Sequence, residues 1–350
     1  MQNPFTTTFS KIPDYTYIPT EQTSVIIDNF SYDSPSESVY KITGVRGSGK
    51  TVLLAKIEDE LNAKDNWHIY RINPGRDMLK QLAVLLHRDG FSKSGMKSIG
   101  ISLSASILGT GGGIGYSSEK NDEFFDYGIE IESMLENAKK CNTKILIGVD
   151  EISKTPDMIM FTLEFGKWLR AGYPIYMVCT GLYENIERIY NVKNLTFFRR
   201  ASTIQTSPLN TIRMTEMYKN RLEMDQGTAH KLADITKGYA YAFQELGVLV
   251  FRSRNDFSMD SVISDLKTEL FSYSYEKIWE ELTDEDKKLV RILSWKDELK
   301  RDEILSLMDK PSNYSMYRDR LLKRGIISAR HGYLSLLLPF FGDYINEYCM

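Results

Sequence analysis

Residues 44–51 read Gly-Val-Arg-Gly-Ser-Gly-Lys-Thr, the spacing G-x-x-x-x-G-K-[ST]. That pattern suits one task, gripping a polyphosphate. Gly44, Gly47 and Gly49 let the backbone curl, so that N–H groups along Arg46, Ser48 and Val52 turn toward an anion. A helix follows, and its positive dipole end faces the same phosphates. Lys50 is expected to reach the β- and γ-phosphates, and the Thr51 hydroxyl to bind Mg²⁺.

A second group lies a hundred residues on. Lys144 to Glu151 reads Lys-Ile-Leu-Ile-Gly-Val-Asp-Glu, an apolar run ending in two carboxylates. A continuous apolar strand belongs in a parallel sheet covered on both faces. Ligands of such sheets bind at the C-terminal strand edge. There Asp150 would hold Mg²⁺, mostly through water, and Glu151 would orient and polarise an attacking water. Thr180 ends a further apolar strand. It is expected either to hydrogen-bond the γ-phosphate or water, or to cap the helix that follows. Arg199 and Arg200 precede a last strand. One of them would stabilise transition-state charge on a nucleotide held by a neighbouring subunit, or both are ordinary surface cations.

Positioning these groups requires strand, loop and helix in the right order. Val39–Thr43 reads as a strand and Val52–Glu58 as helix, flanking the loop correctly. Trp67–Ile72 and Pro174–Cys179 read as strands, and Ser202–Pro208 as a fifth. Thr155-Pro156 marks a helix start, with a capping hydroxyl before proline. Ile99–Ile107, Gly111–Gly113 and Ile114–Tyr116 predict a β-hairpin inserted within residues 91–120. From Thr211 onward helices dominate, with a terminal hairpin turning at His331-Gly332. This predicts an N-terminal arm at 1–38 laid against the nucleotide domain. A P-loop core at 39–210, a helical lid at 211–278 and a C-terminal unit at 279–350 follow it.

Bulk properties narrow the class. Hydrophobic residues make up 42% of 350, enough for a substantial core. A net charge of −3 excludes a strongly basic, histone-like chain. Three widely separated cysteines suggest neither a disulfide framework nor a zinc site, and fit a reducing cytoplasm. No apolar run approaches the ~18 residues of a spanning helix, and the first residues do not resemble a signal peptide.

With GVRGSGKT, ILIGVDE, a strand ending in Thr180 and Phe197-Phe198-Arg199-Arg200 before a last strand, the chain resembles the AAA+ ATPases. It looks closest to their initiator-like branch and is also similar to the STAND signalling ATPases. The resemblance implies an α/β fold with a parallel sheet in order 5-1-4-3-2 and a helical lid. It implies ATP and ADP as ligands with Mg²⁺, slow ATP hydrolysis, and adenine contacts near Ile18 to Thr20. A basic residue at the start of a lid helix would sense phosphate, and Lys237 is the nearest. The C-terminal unit resembles a winged helix. Its third helix and wing carry Arg318, Arg320, Lys323, Arg324 and Arg330, a candidate patch for double-stranded DNA. Partners implied are DNA and either further copies of the chain or a DNA-processing protein. The alternative is a STAND-like signalling or defence module whose winged helix binds protein.

Overall fold

The computed structural model describes residues 2–8, 12–92 and 126–349. The hairpin expected within 91–120 falls outside these residues, apart from Phe91 and Ser92 at its edge. Five parallel strands run β1 (Val39–Thr43), β2 (Trp67–Arg71), β3 (Lys144–Val149), β4 (Ile175–Gly181) and β5 (Ser202–Gln205). Their spatial order is β2-β3-β4-β1-β5, which is the expected 5-1-4-3-2.

Side-chain alternation sorts each central strand between two helical layers. Ile145, Ile147 and Val149 of β3, and Ile175, Met177 and Cys179 of β4, face one layer. That layer contains α3 (Met78–Arg88), α4 (Tyr127–Lys140) and α5 (Pro156–Arg170). Tyr40, Ile42, Leu146 and Val178 face the other, built from α1 (Glu21–Ser31) and α2 (Lys50–Asn62). Every residue of β1 and β4 is buried, as a sheet covered on both faces requires. α5 starts where proline and threonine predict it: the Thr155 hydroxyl accepts from Met158 N at 3.1 Å. Register brings the chemistry together. Val149 pairs with Cys179, so Asp150 falls level with Thr180. After β4 come α6 (Tyr183–Tyr190) and the short α7 (Thr196–Arg200).

The remaining chain is largely helical. α8 (Thr211–Leu222), α9 (Gln226–Ile235), α10 (Ala240–Arg252) and α11 (Met259–Leu270) form the lid. α11 runs through one π turn (Phe271–Tyr275) into α12 (Glu276–Glu280). The C-terminal unit is α13 (Asp284–Leu293), β6 (Leu299–Lys300), α14 (Arg301–Leu307), α15 (Tyr314–Arg324), β7 (Ile327–Arg330), β8 (Tyr333–Leu336) and α16 (Phe341–Tyr348). Its strands form an antiparallel sheet in order β6-β8-β7. Lid and C-terminal unit share a single hydrophobic core, which also takes in Val45 of the phosphate loop.

The N-terminal arm divides its attachment, unlike the expected arm on the nucleotide domain. α1 packs on the sheet through Ile26 and Phe30. Residues before it belong to the lid: Phe5 and Ile18 join the lid core, and Phe5 meets Tyr218 and Phe243. Gly247 of α10 makes the room, since a Cβ there would lie 2.3 Å from the Phe5 ring. Gln244 secures the arm by accepting from Thr6 N and Thr16 Oγ1, both at 3.1 Å.

Candidate nucleotide site

Residues 44–49 link β1 to α2, and the glycines there are required by geometry. Gly47 and Gly49 have φ of 70° and 89°, which side chains rarely adopt. Gly47 also lies under the lid: a Cβ would come within 2.3 Å of the Tyr239 hydroxyl. That hydroxyl donates to Arg46 O at 2.7 Å and meets Ser274 Oγ at 2.7 Å. Tyr241 N donates to Gly47 O at 3.0 Å. The lid thus seats the start of α10 directly on the loop.

A cavity of about 930 Å³ opens above the loop, inside the range of small-molecule sites. Arg46, Gly47, Ser48, Gly49, Lys50, Thr51 and Val52 all line it, as does Glu151. Gly44 lies beneath, packed between Thr206 and Ser48. The arm closes the far side with Ile18 and Thr20, the segment expected beside a nucleobase. Lys50 Nζ donates to the carbonyls of Gly44 and Val45 at 3.0 and 2.9 Å. Burial pushes its ammonium down to about 8, against the pull of Glu151 and Asp150. A buried ammonium satisfied only by neutral carbonyls is a strong host for an anion.

Below Lys50 the oxygens converge. Thr51 Oγ1 donates to Asp150 Oδ2 at 2.8 Å. Thr180 is fully buried and donates to the other oxygen, Oδ1. Thr180 therefore holds the carboxylate in place and does not itself line the cavity. The Thr51 hydroxyl and Asp150 carboxylate are hard oxygen donors, as Mg²⁺ prefers. No cluster of three metal-binding side chains occurs among the described residues. Glu151 sits at φ 53°, a left-handed conformation that is costly for a side-chain-bearing residue. Its N–H is fixed by Asp150 Oδ1 and Thr180 Oγ1, both at 3.1 Å, and its side chain is exposed to the cavity.

Other expected residues sit apart. Arg199 and Arg200 are exposed on α7 and do not line the cavity of their own chain. Lys237 does not line the cavity; its ammonium donates to Leu336 O of the C-terminal unit at 3.4 Å. The five-cation patch is divided. Arg320 grips the fully buried Asp286 with two nitrogens at 2.6–2.9 Å. Arg324, 8% exposed, pairs with Asp286 and with Glu184 of α6. These two cations are committed to structure and are withdrawn from any nucleic-acid face. Arg318 pairs with its neighbour Asp319 at 3.0 Å, while Lys323 and Arg330 are exposed.

Sequence reasoning passed over Lys41. It is 1% exposed inside β1, donates to Phe198 O at 2.6 Å and lies 5.2 Å from the Tyr190 and Phe198 rings. It thereby ties the phosphate-loop strand to the helix bearing Arg199 and Arg200. A charge within an otherwise buried strand was the available signal. Tyr239 and Gln244 were also missed, because their partners lie 193 and 238 residues away.

Residues 21–171 match the model of the KAP family P-loop domain, and residues 272–345 match that of a domain of unknown function, DUF8462. Among solved structures, the chain is similar to the Walker-type ATPase PABY2304 of Pyrococcus abyssi. The TM-score is 0.60 at 11% identity, over 94% of this chain and 96% of that one. The ORC2 protein of Aeropyrum pernix gives a TM-score of 0.56 at 12% identity, over 95% and 96%. No curated protein matches the chain. These likenesses show the fold, a P-loop parallel sheet with helices on both faces.

Proposed function

We propose that this chain is an ATP-hydrolysing molecular switch. The observation that carries the reading is the convergence of Lys50, the Thr51–Asp150 pair and Glu151 on one cavity. The loop amides and the Lys50 ammonium hold the phosphates. Thr51 and Asp150 would hold Mg²⁺, which when bound neutralises phosphate charge. Glu151 orients a water and takes its proton; the water oxygen bonds the γ-phosphorus while the β–γ bridging oxygen departs with ADP. The A. pernix ORC2 structure, titled as ADPNP and ADP complexes, supports nucleotide as the ligand. Arg199 and Arg200, exposed and remote from their own cavity, suit a role at a neighbouring copy's nucleotide, which makes the working form a homo-oligomer.

Glu151→Gln tests hydrolysis. It keeps Mg-ATP affinity while phosphate release falls by about 10²-fold or more. Equal, slow release from both proteins contradicts catalysis.

The C-terminal unit, read as a winged helix, is the output element. For DNA it offers Arg318, Lys323 and Arg330. The commitment of Arg320 and Arg324 to Asp286 and Glu184 specifically favours the second reading, a STAND-like module whose winged helix contacts protein. Steeply salt-dependent retention of duplex DNA selects the first; no retention with or without ATP selects the second.

A further inference from the structure

Arg46 fills a variable position of the phosphate loop and has no part in curling it. Arg46 lines the cavity, and its guanidinium holds Glu281, with Nε and Nη2 at 2.7 and 2.6 Å from Oε1. Glu281 does not belong to the sheet domain. It follows α12, at the junction between lid and C-terminal unit. The same residue's carbonyl accepts from Arg324 Nη2 at 2.9 Å. Arg324 continues to Asp286 and to Glu184. Glu184 lies on α6, directly after the strand whose Thr180 holds Asp150. Two walls of the phosphate cavity therefore meet at one junction on the C-terminal unit.

Contacts around this junction keep the unit docked. Gln205 Nε2 donates to Leu322 O at 2.7 Å, and a Cβ added at Gly325 would lie 3.8 Å from Val45 N of the loop. The links differ in strength. The Arg324 pairs are buried, and breaking one would strand a charge. The Arg46–Glu281 pair is reached by solvent, with side chains 44% and 27% exposed. Such pairs are weak. A polyphosphate arriving beside Arg46 is a stronger acceptor than one solvated carboxylate.

We propose that Arg46–Glu281 is a nucleotide-sensitive catch: bound polyphosphate draws Arg46 away from Glu281 and loosens the docked C-terminal unit. The inference rests on the nucleotide reading of the cavity and adds a route by which occupancy reaches the output element. Linkage makes it quantitative, because whatever nucleotide does to docking, docking does to nucleotide affinity.

The test uses the full chain, calorimetry with a non-hydrolysable Mg-ATP analogue, and hydrogen exchange across residues 314–324. Glu281→Gln is expected to bind the analogue about two- to fivefold more tightly than wild type. Without nucleotide, its 314–324 segment should exchange as fast as that of saturated wild type. Arg46→Ala should exchange equally fast, yet gain no affinity and lose the response to nucleotide. If wild type binds the analogue but Glu281→Gln changes neither affinity nor exchange, the catch is overturned while the nucleotide site stands. Faster exchange with unchanged affinity marks a merely structural pair and also overturns it. If wild type binds no nucleotide, the reading of the cavity itself fails.

Discussion

The phosphate loop and α15 are both rich in cations, yet they use them in opposite ways. At the loop, Lys50 is desolvated and satisfied only by neutral carbonyls, with its face toward an open cavity. On α15, Arg320 and Arg324 already have their anion, the buried carboxylate of Asp286. The first arrangement is a site awaiting an anion; the second is a finished joint. All three side chains are cationic, and what separates Lys50 from Arg320 and Arg324 is whether a carboxylate is already in contact.

The sharpest way to break this contrast is to remove the joint's carboxylate. Asp286→Ala removes the buried carboxylate that Arg320 and Arg324 share, leaving the buried Arg324 with Glu184 alone, and should cost about 3–5 kcal/mol of stability, read by denaturant unfolding. A loss below ~1 kcal/mol, the range of exposed pairs, would mean that α15 is not the closed joint described. A smaller effect tests the lid side of the cavity. Gly247→Ala forces a methyl into the Phe5 ring and should destabilise by about 1–3 kcal/mol. It should also expose the arm to limited proteolysis before the sheet domain. An arm cleaved no faster than in wild type would separate it from the lid.

The mildest effect concerns protons at the loop. Burial lowers the free Lys50 to about 8, and the negative charge of a bound polyphosphate is expected to raise it again. Binding above pH 8 is therefore expected to take up a proton, and the Lys50 contribution to affinity falls as pH rises through 8. Calorimetry at pH 8.5 in buffers of different ionisation enthalpy should show this uptake. Its persistence in Lys50→Arg would assign it to another group.

How much of this was readable in advance follows from the range of each interaction. The phosphate loop and the Asp150-Glu151 pair could be read because local spacing and an apolar run encode them, whereas the strand order was legible only through the family resemblance that those motifs carry. Thr180 was recognised by its place at a strand end, but its role in bracing Asp150 depends on register with β3. The α15 patch misled because the neutralising carboxylates, Asp286 and Glu184, come from 34 and 140 residues away in Arg320's and Arg324's surroundings respectively. Lys237 misled for a similar reason: consecutive left-handed residues, Lys237 and Gly238, turn the chain just before α10, and the side chain ends at Leu336. The divided arm turned on Phe5 finding the gap at Gly247, which no local pattern signals.

The central claim is that the cavity grips a magnesium-bound triphosphate through Lys50. Isothermal titration of wild type and Lys50→Ala with Mg-ATP, side by side at pH 7, tests it most directly. The account predicts saturable one-site binding by wild type, weakened in the variant by roughly 30- to 1000-fold, the scale of a charge-assisted contact in a water-poor site. Equal affinities for the two proteins, or no heat from the wild type at millimolar nucleotide, would contradict it.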